Sequence, residues 1–340
     1  MNALRGGPTA LAVCLLASAC SGEPVARPLP ALAVDPQTVT LSGISSGGYM
    51  AVQYQVAHSA DVLGAAVLAG GPWYCARGQL SLALDECIKG PRDAVEVDAL
   101  LAAARTAAER GDIDPLERLA DDRVWVFHGE SDEVMNVGVS QALVDFYRAF
   151  VPPERIEFVT SVPAAHVFPT LAAGSACDVT EAPHLGACDY DAAGVLLAAL
   201  YGNLDAPQSG TVAGRLERFD QRPFREVSGS AGLADTGFVF VPDDCADQAS
   251  HCRLHVALHG CRQGAEFVED AFVTLAGYNE WAAANSLVVL YPQVRSTLSP
   301  LNPMGCWDWW GYDGDAYAFK AGTQIQALHA MIERLTAPAE

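Results

Sequence analysis

The stretch Leu41-Ser42-Gly43-Ile44-Ser45-Ser46-Gly47-Gly48-Tyr49-Met50 contains a G-x-S-x-G box, Gly43 to Gly47, near the start of a chain of 340 residues. Residues 39–41 before it are β-rich. Residues 47–58 after it read as a helix, with Met50, Val52 and Val56 available for packing. A serine held in a sharp turn between strand and helix presents its hydroxyl, and small neighbours let the chain turn that tightly. Ser45 is therefore the candidate nucleophile, and the Ser46 N–H a candidate donor to an oxyanion. A loop merely rich in Gly and Ser would carry the same letters. The flanking strand and helix favour the catalytic reading.

This context is the nucleophile elbow of an α/β-hydrolase, in which the acid and then the histidine follow the serine along the chain. The run RVWVF (123–127) is a strand and HGESDEV (128–134) follows it. An acid at the carboxyl end of a strand selects Asp132, whereas Asp121 and Asp122 stand at the opposite end. RIEFVT (155–160) is the next strand, and PAAHVFP (163–169) places His166 on the loop after it, where this fold delivers the base. Of the other histidines, His58 and His329 fall on helices and His255 lies inside a strand. His128 and His259 precede glycines at strand ends, and His184 and His251 lie in loops near cysteines.

Nothing strand-rich precedes the run at 39–41 that leads into the box. Further strands come at the other end of the chain, as GFVFV (237–241), RLHVAL (253–258) and LVVLY (287–291), with a closing helix at 323–335. The loop LHGCRQG, which follows RLHVAL, has the His-Gly form of an oxyanion loop that ordinarily precedes the nucleophile. Moving these elements ahead of residue 39 restores the usual order. The expected fold is thus a circularly permuted α/β-hydrolase, a mostly parallel central sheet flanked by helices, with the Cys261 N–H as second oxyanion donor. Residues 79–120 read as a helical cap, 191–200 and 268–285 as helices, and 208–230 as a connector or edge hairpin.

The composition is 51% hydrophobic, enough for one large core, and the net charge is -21 from 20 basic and 41 acidic residues. Such a surface repels nucleic acid and anionic lipid and is compatible with a neutral or cationic substrate; the expected state is a monomer. Arg5, the apolar run 10–16 and Ala17-Ser18-Ala19 form an export signal over 1–20. Cys20 follows at once, which reads equally as plain secretion or as a lipoprotein signal with acylated Cys20 tethering the chain to a membrane. The protein is accordingly expected to be secreted, periplasmic or at the cell surface, outer-membrane lipoproteins included. Residues 21–36 read as a Pro-rich tether and 37–337 as one catalytic domain.

Ten cysteines occur, and eight remain after Cys14 and Cys20. In an oxidising compartment proximity pairs Cys75 with Cys87, Cys177 with Cys188 and Cys245 with Cys252, leaving Cys261 with Cys306. Residues 307–310 hold Trp307, Trp309 and Trp310. Three indoles in four positions do not all face one interior, so an exposed aromatic ledge is expected, fixed beside the oxyanion loop by Cys261–Cys306. Asp308, Asp313 and Asp315 match no EF-hand spacing and read as solvated acids. No metal or cofactor is required.

Taken together, GISSGGYMAVQ, HGESDEVM, PAAHVFP, LHGCRQG and NPMGCWDWWGYDGDAYAFKAG resemble the secreted polyhydroxybutyrate (PHB) depolymerases of the circularly permuted, single-domain type, over about residues 39–335. The resemblance implies a serine esterase acting on poly(3-hydroxybutyrate) or its oligomers. It implies Ser45, Asp132 and His166 as triad, Ser46 and Cys261 as oxyanion donors and Trp307 as a substrate contact. No separate polymer-binding domain or Thr-rich linker is recognised, which points to amorphous polymer or soluble oligomers. Feruloyl and acetyl esterases share fold and motifs and form the rival reading, and a non-catalytic polymer-binding surface lipoprotein the more distant one.

Overall fold

A computed structural model describes residues 26–338 apart from 209, 211 and 247–250, together with residues 1 and 3. The expected export signal, Cys20 with it, otherwise lies outside the described residues. Among the described residues the strands are β1 (Thr40–Ile44), β2 (Gly64–Leu68), β3 (Arg123–Phe127), β4 (Ile156–Val159), β5 (Phe168–Thr170), β6 (Ser175–Ala176), β7 (Leu185–Ala187), β8 (Gly214–Asp220), β9 (Thr236–Pro242), β10 (Arg253–Leu258) and β11 (Leu287–Tyr291). The helices are α1 (Ser46–Ala57), α2 (Leu80–Leu84), α3 (Val97–Arg110), α4 (Val137–Tyr147), α5 (Ala192–Tyr201), α6 (Arg222–Ser228), α7 (Ala265–Val268), α8 (Ala271–Leu275), α9 (Tyr278–Ala284) and α10 (Thr323–Thr336).

Eight strands form one sheet in the order β4-β3-β2-β1-β10-β11-β9-β8, and β5, β7 and β6 form a small second sheet. From β4 to β11 every pairing in the main sheet is parallel, while β9 and β8 complete it antiparallel. The first strand of the domain therefore pairs with β10, from the far end of the chain, through Thr40↔His255 to Gly43↔Leu258. Counted from β8 onward and then through β1 to β4, the spatial order becomes 1-2-4-3-5-6-7-8. This is the sheet of a circularly permuted α/β-hydrolase fold, in which the strand leading into Ser45 comes first along the chain. Strands β1 and β2 are buried along their whole length, as expected for strands with helices on both faces.

Helix α1 is buried on every side and accordingly shows no amphipathic stripe. One core layer joins α1, α3, α4 and α10 to one face of the sheet, and a second joins α5, α8 and α9 to the other. Where one helix was expected over 268–285 there are three short ones, because Glu269 (φ 56°) and Gly277 (φ 92°) leave the helical region. Residues expected as a connector or edge hairpin supply edge strand β8 and α6.

The tether expected over 21–36 needs correcting from Arg27 onward. Leu29, Leu32 and Val34 are buried in the core, and the N–H groups of Leu32 and Val34 donate to Leu335 O at 3.1 and 3.2 Å. Apolar residues between the prolines give this segment something to bury, which a free tether lacks. Disulfides join Cys75–Cys87, Cys177–Cys188, Cys245–Cys252 and Cys261–Cys306.

Candidate active site

Ser45 sits at the carboxyl end of β1, immediately before α1, with φ 57° and ψ -121°. A non-glycine residue pays roughly 1–3 kcal/mol for such a conformation. The turn is held by Ser45 N–H donating to Leu68 O at 2.8 Å and Ser45 O accepting from Tyr49 N–H at 3.0 Å. The two glycines of the box answer a packing demand. A Cβ on Gly43 would lie 2.2 Å from Gly47 O, and one on Gly47 would lie 2.4 Å from Leu258 O. Only glycine lets α1 approach β1 and β10 this closely.

The loops after β3 and β4 bring Asp132 and His166 together. His166 Nδ1 lies 2.8 Å from Asp132 Oδ2. A carboxylate there makes Nδ1 the donor and leaves Nε2 as the nitrogen for the cleft. The other oxygen, Oδ1, accepts the N–H groups of Val134 and Met135, each at 2.9 Å. Burial works to raise the Asp132 carboxyl, yet the hydrogen bond and charge of His166, the Met135 amide and His128 outweigh it and hold it below the ordinary range. His166 N–H donates to Thr180 Oγ1 at 3.1 Å, and Ala165 N–H to Cys177 O at 2.8 Å, so the Cys177–Cys188 bridge braces the histidine loop.

The loop after β10 is organised by its own side chains. His259 is fully buried, and burial pushes its imidazole down to about 4, so it is neutral. Its Nδ1 lies 2.7 Å from Gly260 O, and its Nε2 accepts Val294 N–H at 3.2 Å. Gln263 accepts Gly260 N–H at 2.8 Å through Oε1 and donates to His184 O at 2.8 Å through Nε2. Arg262 N–H donates to Met304 O at 2.7 Å and Gln263 N–H to Gly260 O at 3.3 Å. Cys261 N–H is thus the amide of residues 260–263 with no protein acceptor among the described residues. The buried Gln263, which ties this loop to the segment between β6 and β7, went unrecognised in the sequence. Its signal was the position three residues after Gly260, the spacing of a side chain that closes a tight turn.

Ser45, Ser46, His166 and Cys261 line one cleft of about 430 Å³. Its walls are mostly apolar, aliphatic and aromatic, and Leu80, Leu84 and Leu301 stand exposed at it. The expected tryptophan ledge is corrected. Trp307 is fully buried and is not among the cleft-lining residues. Its backbone N–H reaches Ser46 Oγ at 3.3 Å and its ring lies 5.7 Å from that of His259, so it packs behind the loop after β10. Trp309, itself buried, stacks on Tyr49 at 4.5 Å, and it and Trp310 line the cleft. The backbone folds back between these indoles because Asp308 is no solvated acid. Its carboxylate accepts the N–H groups of Gly311, Tyr312 and Asp313 at 2.7–2.9 Å. Asp313 in turn accepts Ala231 N–H and bonds Ser230 and Thr323. At the far end of α1, His58, Asp61 and His329 bring ligand atoms within 4.8 Å of one another, remote from the cleft.

No protein-family model matches the chain. It is 40% identical over 311 residues to a poly(3-hydroxybutyrate) depolymerase of Delftia acidovorans, covering 91% of this chain and 61% of the relative's length. It is 33% identical over 329 residues to a polyhydroxybutyrate depolymerase of Talaromyces funiculosus, covering 93% of this chain and 94% of the relative. Among solved structures, a PHB depolymerase serine-to-alanine variant complexed with an R3HB trimer superposes with TM-score 0.85 at 32% identity, over 91% of this chain and 98% of that one. The crystal structure of PHB depolymerase from Penicillium funiculosum gives TM-score 0.84 at 33% identity, with the same coverage.

Proposed function

The chain belongs to the polyhydroxybutyrate depolymerase family, and on that premise we propose that it is a serine esterase hydrolysing poly(3-hydroxybutyrate) or its oligomers. The observation that carries this reading is Ser45, held in a strained turn, sharing one largely apolar cleft with His166, whose Nδ1 lies 2.8 Å from Asp132 Oδ2. In the proposed mechanism Ser45 Oγ attacks the ester carbonyl while His166 Nε2 takes its proton. Asp132 holds the imidazole by Nδ1 and stabilises the imidazolium. The amides of Ser46 and Cys261 bind the oxyanion, each worth roughly 10²–10³ in rate. The imidazolium then protonates the leaving alcohol, and a water activated by the same histidine releases the acyl group. The mostly apolar walls suit a polyester that is neutral along its length. Trp309 and Trp310 are the aromatic contacts in this reading, with Trp307 supporting the loop behind them.

Four disulfides fit a protein of an oxidising compartment outside the cytoplasm, and among the described residues no helix is long and apolar enough to cross a membrane. Export through residues 1–20, with Cys20 as the acylation candidate, belongs to the same proposal. The mass of the mature N-terminal peptide separates acylation from plain cleavage.

The test is product release from amorphous poly(3-hydroxybutyrate), run beside methyl ferulate and a short p-nitrophenyl ester, for the natural chain and Ser45→Ala. Release of 3-hydroxybutyrate monomer or dimer, lost in the variant, is the expected result. Ferulate turnover with an untouched polyester would transfer the protein to the feruloyl-esterase branch, and turnover surviving in the variant would refute the mechanism.

A further inference from the structure

The cleft contains a charge that the proposed mechanism does not use. Of all Lys, Arg, Asp and Glu residues among the described ones, Arg262 alone lines it. The chain carries 41 acidic residues against 20 basic ones, yet no carboxylate among the described residues pairs with this guanidinium. Arg262 also occupies a backbone position with φ 58°, where glycine or asparagine would be less strained. Its N–H is anchored to Met304 O at 2.7 Å, beside the Cys261–Cys306 bridge. His184, another cleft residue, is made less basic by burial first, then by the charges of His166 and Arg262.

A 3-hydroxyacyl oligomer is neutral along its length and carries one formal charge, the carboxylate at one end. A lone guanidinium in an otherwise uncharged cleft is the complement of that single group, and its planar fork matches a carboxylate in two parallel hydrogen bonds. We propose that Arg262 is a specificity-determining residue that binds the terminal carboxylate of the substrate, so that oligomers are cut near their carboxyl end. This rests on the polyester-hydrolase reading above. The Ser45 Oγ–acyl bond forms as the ester C–O bond breaks. The serine's proton passes through His166 to the departing alkoxide, and the carboxyl-terminal piece leaves with its carboxylate still facing Arg262. Water then frees the remaining acyl chain as an acid.

The experiment compares kcat/KM for a 3-hydroxybutyrate trimer as free acid and as its methyl ester. Each protein supplies its own ratio, so a partly folded variant still reports. The natural chain should prefer the free acid by roughly two- to fivefold at low salt, the range for a pair made by an exposed guanidinium such as Arg262. The preference should shrink in 0.5 M NaCl. Arg262→Gln should bring the ratio to about one, and Arg262→Lys should keep part of the preference. A ratio near one in the natural chain, or an undiminished preference in Arg262→Gln, would overturn the inference while leaving the esterase reading intact. Failure to cleave either trimer, with a p-nitrophenyl ester still turned over, would remove the polyester reading and this inference with it.

Discussion

Replacing Gly47 by alanine should disable catalysis without touching a reacting group. The added Cβ would lie 2.4 Å from Leu258 O and 2.5 Å from His259 O, both backbone atoms of the strand that ends in the oxyanion loop. Carbon and oxygen in contact sit about 3.3 Å apart, so the start of α1 and the end of β10 must separate by roughly 0.9 Å. The two proposed donors ride one on each side of that seam, Ser46 on α1 and Cys261 after β10. Donors act at about 2.7–3.1 Å from the oxyanion, and a misplacement near 1 Å costs on the order of 10²-fold in kcat. Stability should change less than activity. Overpacking costs about 1–3 kcal/mol, and Gly→Ala inside a helix returns about 1 kcal/mol. Gly48→Ala is the control, one residue along the same helix, with its nearest neighbours Gly43 O and Val67 Cγ1 at 3.1 Å. It needs a shift of only about 0.2 Å and should keep kcat within about fivefold. The assay is kcat on a soluble short ester, with circular dichroism and Tm recorded beside it. A Gly47→Ala enzyme within about threefold of the natural kcat would refute the coupling between this seam and the oxyanion hole.

Asp132→Asn should keep the fold and lower kcat roughly 10³–10⁴-fold, because an amide facing His166 Nδ1 favours the wrong tautomer; a loss below tenfold would remove Asp132 from its proposed role. Burial pushes the Asp122 carboxyl up to about 8, against a hydrogen bond from Gln55. A carboxyl raised on folding contributes stability below its ordinary 3.8 and loses it as pH climbs toward 8. The Tm of Asp122→Asn should therefore gain on the natural protein between about pH 5 and 8. A Tm difference that stays constant with pH would contradict this. Replacing Cys261 and Cys306 by alanine opens a link 45 residues apart in sequence, against 7 for Cys245 and Cys252. Chain entropy puts the two losses at about 4 and about 2.4 kcal/mol. Denaturant titration should rank them so, and the first pair alone should also lower kcat.

Much of this site could be read from local chemistry. A G-x-S-x-G box between strand and helix, an aspartate and a histidine just past strand ends, and a His-Gly loop after RLHVAL are all set by residues within a few positions of one another. Their order along the chain was enough to expect a permuted chain, whereas the pairing of β10 with β1, ahead of β11, is seen only in the sheet. Cysteine pairing was legible for the same reason, since three of the four bridges close short loops. What escaped the sequence depends on residues far apart in it. Arg27 to Val34 has the composition of a tether, yet it is held by Leu335 at the other end of the domain. Trp307 and Trp310 are near neighbours with the same side chain, and one is enclosed behind the loop after β10 while the other lines the cleft. Asp308 looks like one more acid in an acidic chain, until the loop folds three amides onto it. Burial is a property of the assembled layers, so exposure, hydrogen-bond partners and the charge left facing the cleft follow from packing between distant segments. Local pattern sets which turns and strands form.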